Sequence, residues 1–407
     1  MKRSMNPRVI VIFNRDFEGA EADPENKARE DIKGIAEHVC SILSRSGYHA
    51  NGLGVTGDVF GAVEAIKAYA PDVVFNLCES IGGDNRFEPL VPLLLDREGI
   101  AYTGSGPLTL SISLHKHKAK DVLRANGVPT PEYRLATTSD VSDFFVAPGG
   151  AGDDMAFPLI VKPAREDASV GISSASVVHD RAALASRVTH VLSHYRQPAL
   201  VEQYIEGREI YVSMLGASAP GAAPQIFPFY EIDFSLMPAD RPRIVSFEGK
   251  WVEGSEEFVG TKPMPCADLT DEERARITAV AHRAFEAMEI RDYARLDIRL
   301  ATSGPDAGTP FVIDVNPNCD LSDEAGGYAK AARAAGLGYD EVVRRIVDLG
   351  LSRRSNADTI PLAARSRSAR RDGVGKLEAG RSSGDGNLPA GGGLVRDRAP
   401  RRRARSG

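Results

Sequence analysis

Short apolar runs alternate with segments of helical spacing over the first 110 residues. Residues 9–13 (Val-Ile-Val-Ile-Phe) form a continuous apolar run, which is typical of a strand buried in a parallel sheet. Residues 27–46 carry apolar side chains three and four positions apart, and Gly47 stands where such a helix would end. The alternation continues through a helix at 59–69, a strand at 72–77, a helix at 87–98 and an apolar segment at 100–102. It predicts a doubly wound α/β unit, in which ligands bind beyond the carboxyl ends of the strands, here near residues 76–85.

The rest of the chain mixes the two patterns. We predict further helices at residues 108–126, 180–194, 271–288, 322–335 and 339–349. We predict further strands at residues 133–135, 158–163, 199–204, 209–215, 225–230, 293–300 and 311–315. Thr270 and Glu273 have the spacing of a capping box at the start of the helix at 271–288. The Gly- and Asp-rich stretch at 148–154 is typical of a surface insertion.

The net charge of −6 is unevenly spread along the 407 residues. From residue 351 on there are 14 Lys and Arg against five Asp and Glu, with almost no periodic apolar pattern. This composition predicts a disordered basic tail at 351–407. The arginine run at 401–405 allows weak contact with nucleic acid or another acidic surface, and a solvated tail without a specific partner is the alternative.

Hydropathy and cysteine spacing indicate a cytoplasmic protein. No apolar stretch reaches the roughly 18 residues that a transmembrane helix needs, so we expect no membrane span. The apolar run at 9–13 is too short for a signal peptide. The four cysteines are scattered and lack metal-binding spacing, which fits a reducing compartment.

A lysine at the end of a predicted strand begins the first candidate motif. Lys162 closes the strand at 158–163, and the small-residue turn Ser169-Val170-Gly171 follows it. An ammonium group and several backbone N–H groups can bind a phosphate together. The alternatives are a solvated strand end and an ordinary hairpin turn.

Two predicted strands carry oxygen donors in alternating positions. Arg295 and Asp297 share one face of the strand at 293–300, and Asp314 and Asn316 share one face at the end of the next strand. Carboxylate and amide oxygens suit Mg²⁺, which also keeps water and phosphate ligands. The alternative is that these side chains line the solvent face of an amphipathic sheet.

A third motif surrounds the predicted turn after residue 204. The segment 201–209 (Val-Glu-Gln-Tyr-Ile-Glu-Gly-Arg-Glu) places carboxylates on both sides of the turn. These groups can accept hydrogen bonds from an adenine amino group and a ribose hydroxyl. A charged hairpin is the alternative.

Taken in order, these segments resemble the ATP-grasp superfamily, and most closely its D-alanine–D-alanine ligase group. The resemblance also includes Asn76-Leu77, the segment 102–106 (Tyr-Thr-Gly-Ser-Gly), the segment 115–120, and the segment 127–131 (Gly-Val-Pro-Thr-Pro). It covers roughly residues 70–350, and the order and spacing of the segments carry it.

The resemblance implies an ATP-grasp fold and a ligase reaction. A doubly wound α/β domain (1–112) would be followed by two α+β subdomains (113–200 and 201–350) that clamp ATP. The enzyme would use ATP and Mg²⁺ or Mn²⁺ to activate a carboxylate as an acyl phosphate and join it to an amine, releasing ADP and phosphate. Its substrates would be amino acids or small peptides, and a homodimer is compatible with the sequence.

The resemblance also implies a role for each matching residue. The phosphates of ATP would be bound by Lys116, Lys162 and Lys250. Adenine would be framed by Glu202, Gln203 and Ile205, and the ribose would be bound by Glu209. Two Mg²⁺ ions would be bound by Asp297, Asp314 and Asn316. Arg295 would stabilise the acyl phosphate and the tetrahedral intermediate, and Ser169 and Gly171 would belong to a mobile loop over the phosphates.

Departures from the family pattern concentrate on the acceptor side. Cys78-Glu79-Ser80 stands where the D-alanine ligases carry His-Gly, and the segment 317–322 (Pro-Asn-Cys-Asp-Leu-Ser) replaces a Pro-Gly turn. Asp314 stands where the family usually has Glu, and Glu30 is an approximate counterpart of the N-terminal substrate-binding Glu. The sequence therefore leaves open the identity of both substrates.

Two other functions remain compatible with the sequence. An ATP-grasp kinase would transfer phosphate to a stable acceptor, although Arg295 beside the metal ligands favours the ligase. A non-catalytic nucleotide-binding regulator would not need the full set of lysines and carboxylates that the chain carries.

Overall fold

The computed structural model describes residues 6–15, 32–141, 155–216, 222–324 and 326–357. Four sequence-based expectations lie wholly or partly outside these described residues: the insertion at 148–154, the contribution of Glu30, the start of the helix at 27–46 and most of the basic tail. The described residues form three sheets, and each of them positions part of the candidate site.

The first sheet is parallel, with the strand order β2-β1-β3. Its strands are β1 (Arg8–Asn14), β2 (His49–Val55) and β3 (Val73–Asn76). Its helices are α1 (Ile32–Arg45), α2 (Val59–Tyr69) and α3 (Leu90–Glu98). Alternate side chains of β1 enter different cores: Val9 and Val11 pack with α1, whereas Ile10 and Ile12 pack with α2 and α3. The predicted doubly wound unit is confirmed.

The helix predicted at 108–126 is two helices. They are α4 (Pro107–Leu114) and α5 (Lys116–Ala125), and His115 between them has non-helical dihedral angles (φ −89°, ψ 81°). The backbone N–H of Lys116 donates a hydrogen bond to the carbonyl of Ala164, 3.2 Å away, instead of continuing the first helix. The break thus places Lys116 in the first turn of a new helix beside the second sheet.

The second sheet is antiparallel, with the strand order β4-β7-β5-β6. Its strands are β4 (Tyr133–Ala136), β5 (Leu159–Pro163), β6 (Val177–Val178) and β7 (Ala199–Gln203). Helix α6 (Arg181–His194) covers one face and begins at the N-cap Asp180, which accepts a hydrogen bond from the N–H of Ala183. The predicted strand and helix positions agree with this unit within a few residues.

The third sheet is antiparallel, with the order β11-β10-β8-β12-β13 and β9 beside β8. Its strands are β8 (Gly207–Leu215), β9 (Gln225–Ile226), β10 (Tyr230–Asp233), β11 (Lys262–Pro265), β12 (Tyr293–Ala301) and β13 (Pro310–Asn316). Two short helices, α7 (Phe247–Trp251) and α8 (Glu256–Val259), lie between β10 and β11. Helix α9 (Asp271–Ala287) has the predicted capping box of Thr270 and Glu273.

The single strand predicted at 225–230 is wrong. Strand β9 ends at Ile226 and β10 begins at Tyr230, and Pro228 stands in the gap. Because proline has no N–H, it cannot donate to a neighbouring strand, and the chain bends before pairing again with β8 and β11.

The last two helices are α10 (Gly327–Ala334) and α11 (Tyr339–Ala357). Helix α10 begins later than predicted, because Asp320 accepts hydrogen bonds from the N–H and hydroxyl of Ser322 and holds a turn there. Helix α11 continues past residue 351, where the tail was predicted to begin, and that boundary is wrong. Its extension is held by Arg353, which pairs with Asp292 and donates to the carbonyl of Tyr102.

No helix among the described residues is long and apolar enough to cross a membrane.

Candidate active site

A cavity of about 110 Å³ between the second and third sheets collects the predicted site residues. All of the predicted cofactor-binding, metal-binding and catalytic residues except Gly171 line it. The lining residues come from strands β5, β7, β8, β12 and β13, from helices α5 and α7, and from the connecting segments at 131, 166–172, 204–205 and 244–245. Segments far apart in sequence are therefore brought to one place.

Lys116 is a buried cation between two carboxylates. Its Nζ lies 2.7 Å from Oδ2 of Asp314 and 3.1 Å from Oδ1 of Asp167. Burial alone lowers the pKa of Lys116, but the two carboxylates outweigh that effect and raise this pKa above its usual value. The side chain therefore stays charged within the cavity.

Glu202 is held by two lysines. Its Oε2 lies 2.9 Å from Nζ of Lys162, and its Oε1 lies 3.0 Å from Nζ of Lys120. Burial of Glu202 raises its pKa, and the two ammonium groups outweigh this effect, so that the net pKa is lowered. Glu202 thus stays ionised and fixes the position of Lys162 in the cavity wall.

Lys120 was missed in the sequence analysis. It follows Lys116 by four positions on α5, so that both lysines lie on one face of the helix and both are buried. Its Nζ also donates a hydrogen bond to Thr130. Two lysines with helical spacing, Lys116 and Lys120, were the available signal in the sequence.

Asp297, Asp314 and Asn316 meet across two paired strands. Asp297 lies opposite Asp314 in the register of β12 and β13, and Arg295 lies opposite Asn316. The irregularity in pairing after Asp297 changes the register at this point of the sheet.

Arg295 forms a two-point contact with Asp297. Its Nε donates to Oδ1 at 2.7 Å and its Nη2 donates to Oδ2 at 3.0 Å. Burial lowers the pKa of Arg295, but the Asp297 carboxylate outweighs it and raises this pKa well above its usual value. The guanidinium also lies 4.7 Å from the ring centre of Tyr211, which fixes its orientation.

The oxygen donors of this site fit a hard divalent cation. Asp297, Asp314 and Asn316 line the same cavity, and no cluster of three or more His, Cys, Asp or Glu among the described residues could hold a metal ion by itself. Mg²⁺ is commonly bound in this way, because it keeps water and phosphate oxygens as its other ligands. The donor set is thus suited to a metal that arrives with a phosphate.

The segment 167–172 is docked against the segment 245–251. Ser169 Oγ donates to the carbonyl of Val245 at 3.0 Å, and Trp251 Nε1 donates to the carbonyl of Ala168 at 2.9 Å. Ala168 and Ser169 have positive φ angles of 53° and 65°, so these contacts hold a conformation that L-residues rarely adopt. Gly171 lies outside the cavity lining, and a Cβ there would come within 2.5 Å of Pro163.

One side of the first cavity combines apolar and polar groups. Ile160, Ile205 and Ile244 line it beside Glu202 and Gln203. Glu209 lies 3.0 Å from Arg299, a second residue that the sequence analysis missed. Such a mixture suits a flat base with polar edges and a sugar.

A second cavity of about 240 Å³ adjoins the first. The two cavities share Asp167, Ala168, Lys250, Arg295 and Asn316. The segments that depart from the family pattern contribute to the second cavity through Glu79 and through residues 317–320 and Ser322. These departures therefore concentrate around the second cavity, on the side that the sequence analysis assigned to the acceptor.

Comparisons with known proteins identify the family of this chain. The family described as D-ala D-ala ligase C-terminus matches residues 122–348. An uncharacterized protein, y4sG, of Sinorhizobium fredii is 32% identical over 84% of this chain and 96% of its own length. A D-alanine–D-alanine ligase of Chromohalobacter salexigens is 30% identical over 85% of this chain and 95% of its own length.

Solved structures share the fold. The crystal structure of D-alanine–D-alanine ligase from Bacillus anthracis complexed with ATP superimposes with a TM-score of 0.63 at 22% identity, covering 87% of this chain and 99% of the other. The ligase from Coxiella burnetii gives the same TM-score at 16% identity.

Proposed function

Because this chain belongs to the D-alanine–D-alanine ligase family, we propose that it is an ATP-dependent, ADP-forming carbon–nitrogen ligase that activates a carboxylate as an acyl phosphate. The observation that carries the proposal is the placement of Arg295 and Lys250 in the wall shared by the two cavities. A phosphate bound in the first cavity and a carboxylate bound in the second would both reach these cations.

We assign ATP to the first cavity. Lys116 and Lys162 bind its phosphates, and Lys250 contacts them from α7. Glu202, Gln203 and Ile205 surround the adenine, and Glu209 binds the ribose. Preorganised cations of this kind stabilise the charge that develops on phosphate oxygens during transfer.

Asp297, Asp314 and Asn316 would hold Mg²⁺ or Mn²⁺ in this cavity. The ion would supply charge neutralisation on the phosphate oxygens. Asp314 is kept ionised by Lys116, since burial raises its pKa but the lysine outweighs this and lowers it. Arg295 orients Asp297 through the two-point contact described above.

Arg295 also faces the acceptor. The incoming neutral amine attacks the carbonyl carbon of the acyl phosphate, and the carbonyl oxygen takes up negative charge. Phosphate then leaves with the bonding electron pair, and the nitrogen releases one proton to water. A fixed guanidinium stabilises that oxyanion because its charge does not depend on a proton equilibrium near neutral pH. Ser169, through its contact with Val245, keeps the segment 167–172 over the site, where it excludes water from the intermediate.

A kinase is the second candidate, and the shared wall argues against it. A kinase needs cations around the transferred phosphate, but it does not need them to line the acceptor cavity as well. Arg295 and Lys250 line both cavities, which favours condensation through an activated carboxylate.

The proposal extends to substrates, compartment and organisation. The substrates are small amino acids or peptides, and the reaction takes place in the cytoplasm, where the four free cysteines would stay reduced. We propose domain boundaries at 1–112, 113–200 and 201–357, and a homodimer stays a prediction.

Phosphate release from Mg-ATP by the purified protein tests the proposal. D-Alanine and then a panel of D- and L-amino acids and dipeptides are added, and products are identified by mass spectrometry. ADP formed together with an amide-linked product supports the ligase. A stable phosphorylated acceptor formed without any amine would instead identify a kinase.

A further inference from the structure

The second cavity separates its positive and negative side chains. Lys250 and Arg295 lie where it adjoins the first cavity. Three carboxylates line the second cavity and not the first: Glu79, Glu88 and Asp320. A ligand of this cavity therefore meets cations at the reacting end and carboxylates elsewhere.

Glu88 is the most buried of these carboxylates. The residue is only 9% exposed, and its Oε1 accepts a hydrogen bond from Nδ2 of Asn318 at 2.9 Å. Among the described residues, no lysine or arginine pairs with Glu88, and Oε2 accepts no hydrogen bond. Burial raises the pKa of Glu88 well above its usual value, with a smaller opposing contribution from Asn318. A cation that enters with a ligand would offset the free-energy cost of burying the Glu88 carboxylate in its charged form.

Asn318 holds Glu88 in a fixed orientation. Nδ2 of Asn318 also donates to the carbonyl of Cys78 at 3.0 Å, and its Oδ1 accepts from the hydroxyl of the buried Tyr293 at 2.9 Å. Each polar atom of the amide is thus used, and Glu88 is preorganised at the cavity wall.

Apolar side chains complete the cavity. Ile35, Leu110 and Leu114 line it together with the carboxylates. The volume of about 240 Å³ exceeds the roughly 150 Å³ that holds benzene in an engineered cavity. There is room for a long aliphatic side group that carries a charge at its end.

We propose that the second cavity selects an amino acid or peptide whose side group carries an additional positive charge, an amine or a guanidinium, and that Glu88 is the specificity-determining residue. This inference rests on the proposed function, because the carboxylate of the same substrate is directed to Lys250 and Arg295. Glu79 and Asp320 add negative potential on the same side of the cavity.

Binding to the full-length protein tests the inference without requiring turnover. Titration calorimetry in the presence of Mg-ADP compares lysine with norleucine and arginine with citrulline, using both enantiomers of each. We expect the charged member of at least one pair to bind about 10- to 100-fold more tightly than its neutral counterpart, as a charged hydrogen bond would give. Equal binding, tighter binding of the neutral members, or no binding by any of them overturns the inference.

Glu88→Gln removes the charge and retains an oxygen that can accept from Asn318. We expect this variant to lose the preference for the charged member, with the affinity for norleucine and for ADP unchanged. The matched control is Glu286→Gln, an exposed glutamate on α9, which should keep the preference. If Glu88→Gln keeps the full preference for the charged ligand, the assignment of Glu88 is overturned. Glu79→Gln then tests whether the Glu79 carboxylate selects the cation instead.

The same panel in the phosphate-release assay separates the inference from the proposed function. Turnover with neutral amino acids at rates equal to the basic ones would leave the ligase standing and overturn the inference. Preferential binding of lysine or arginine without any turnover would support the inference and contradict the ligase.

Discussion

At the scale of single residues, the site depends on charges that stabilise one another away from water. Lys116 and Asp314 are paired, and Glu202 joins Lys120 to Lys162. Removing one member of such a cluster leaves the others buried without their partners, which costs more free energy than the pair contributes. Each side chain therefore matters both for holding a ligand and for keeping its neighbour charged.

We expect Lys162→Met to lower kcat/KM for ATP about 100- to 1000-fold, because a preorganised cation is removed from the phosphate site. Glu202 keeps Lys120 as a partner, so the variant should remain folded by circular dichroism. Lys118→Met, an exposed lysine of α5, is the control and should behave as wild type. Wild-type phosphate release by Lys162→Met would show that the phosphates bind elsewhere.

Asp297→Asn is expected to weaken the metal site. It removes one of two carboxylates and the two-point contact with Arg295. The Mg²⁺ concentration needed for half-maximal phosphate release should rise at least about tenfold. The control is Asp268→Asn, at an exposed loop position, which should leave this Mg²⁺ concentration unchanged. An unchanged Mg²⁺ dependence in Asp297→Asn would contradict the assignment.

At the scale of elements, the sequence predicted most strands and helices because their apolar periodicity is strong. The family and the fold that the motifs resembled are confirmed by the comparisons. The roles of Lys116, Lys162, Asp297 and the other site residues stay predictions, although the structure brings nearly all of them to one cavity.

Two errors in the sequence analysis arose where tertiary contacts override local pattern, whereas the strand predicted at 225–230 is interrupted by the missing N–H of Pro228. His115 interrupts a segment with continuous helical periodicity, and Arg353 extends a helix whose last residues have no apolar pattern. Lys120 and Arg299 were missed because a single sequence does not show that Glu202 and Glu209 face them.

The extension of α11 leads to a prediction for this element. Asp292 is buried, and Arg353 pairs with both of its oxygens. We expect Arg353→Met to lower the free energy of unfolding by about 3 kcal/mol, because it leaves a buried carboxylate without its cation. Urea unfolding measures the change, with the exposed Arg344→Met of the same helix as the control. A change no larger than in the control would contradict a stabilising role for the pair.

At the scale of the whole molecule, the chain combines an acidic enzyme body with a basic C-terminal stretch. The first 350 residues contain 36 Lys and Arg against 51 Asp and Glu, so their net charge is negative. Residues 351–407 contain 14 Lys and Arg against five Asp and Glu, so their net charge is positive. The site draws on all three sheets or the helices packed on them, since Glu79 follows β3, Lys162 lies on β5 and Asp297 lies on β12. Activity should therefore require residues 6–357 together.

We expect a protein ending at residue 357 to retain wild-type phosphate release and melting temperature, because α11 and Arg353 are preserved. A protein ending at residue 350 should melt several degrees lower, since it lacks Arg353. Differential scanning calorimetry and the phosphate-release assay compare the two. Loss of activity in the protein that ends at residue 357 would assign a role to the C-terminal stretch.

Trp251 is the only tryptophan of the chain, so the intrinsic tryptophan fluorescence of the protein reports on this one position. The indole N–H donates to the carbonyl of Ala168, the ring lines the second cavity, and the Lys250 ammonium lies 5.1 Å from the ring centre. A nucleotide that draws Lys250 towards its phosphates, or an acceptor that enters the second cavity, changes the electric field at the indole. Emission from one fluorophore can thus follow the filling of both cavities in real time, without a label.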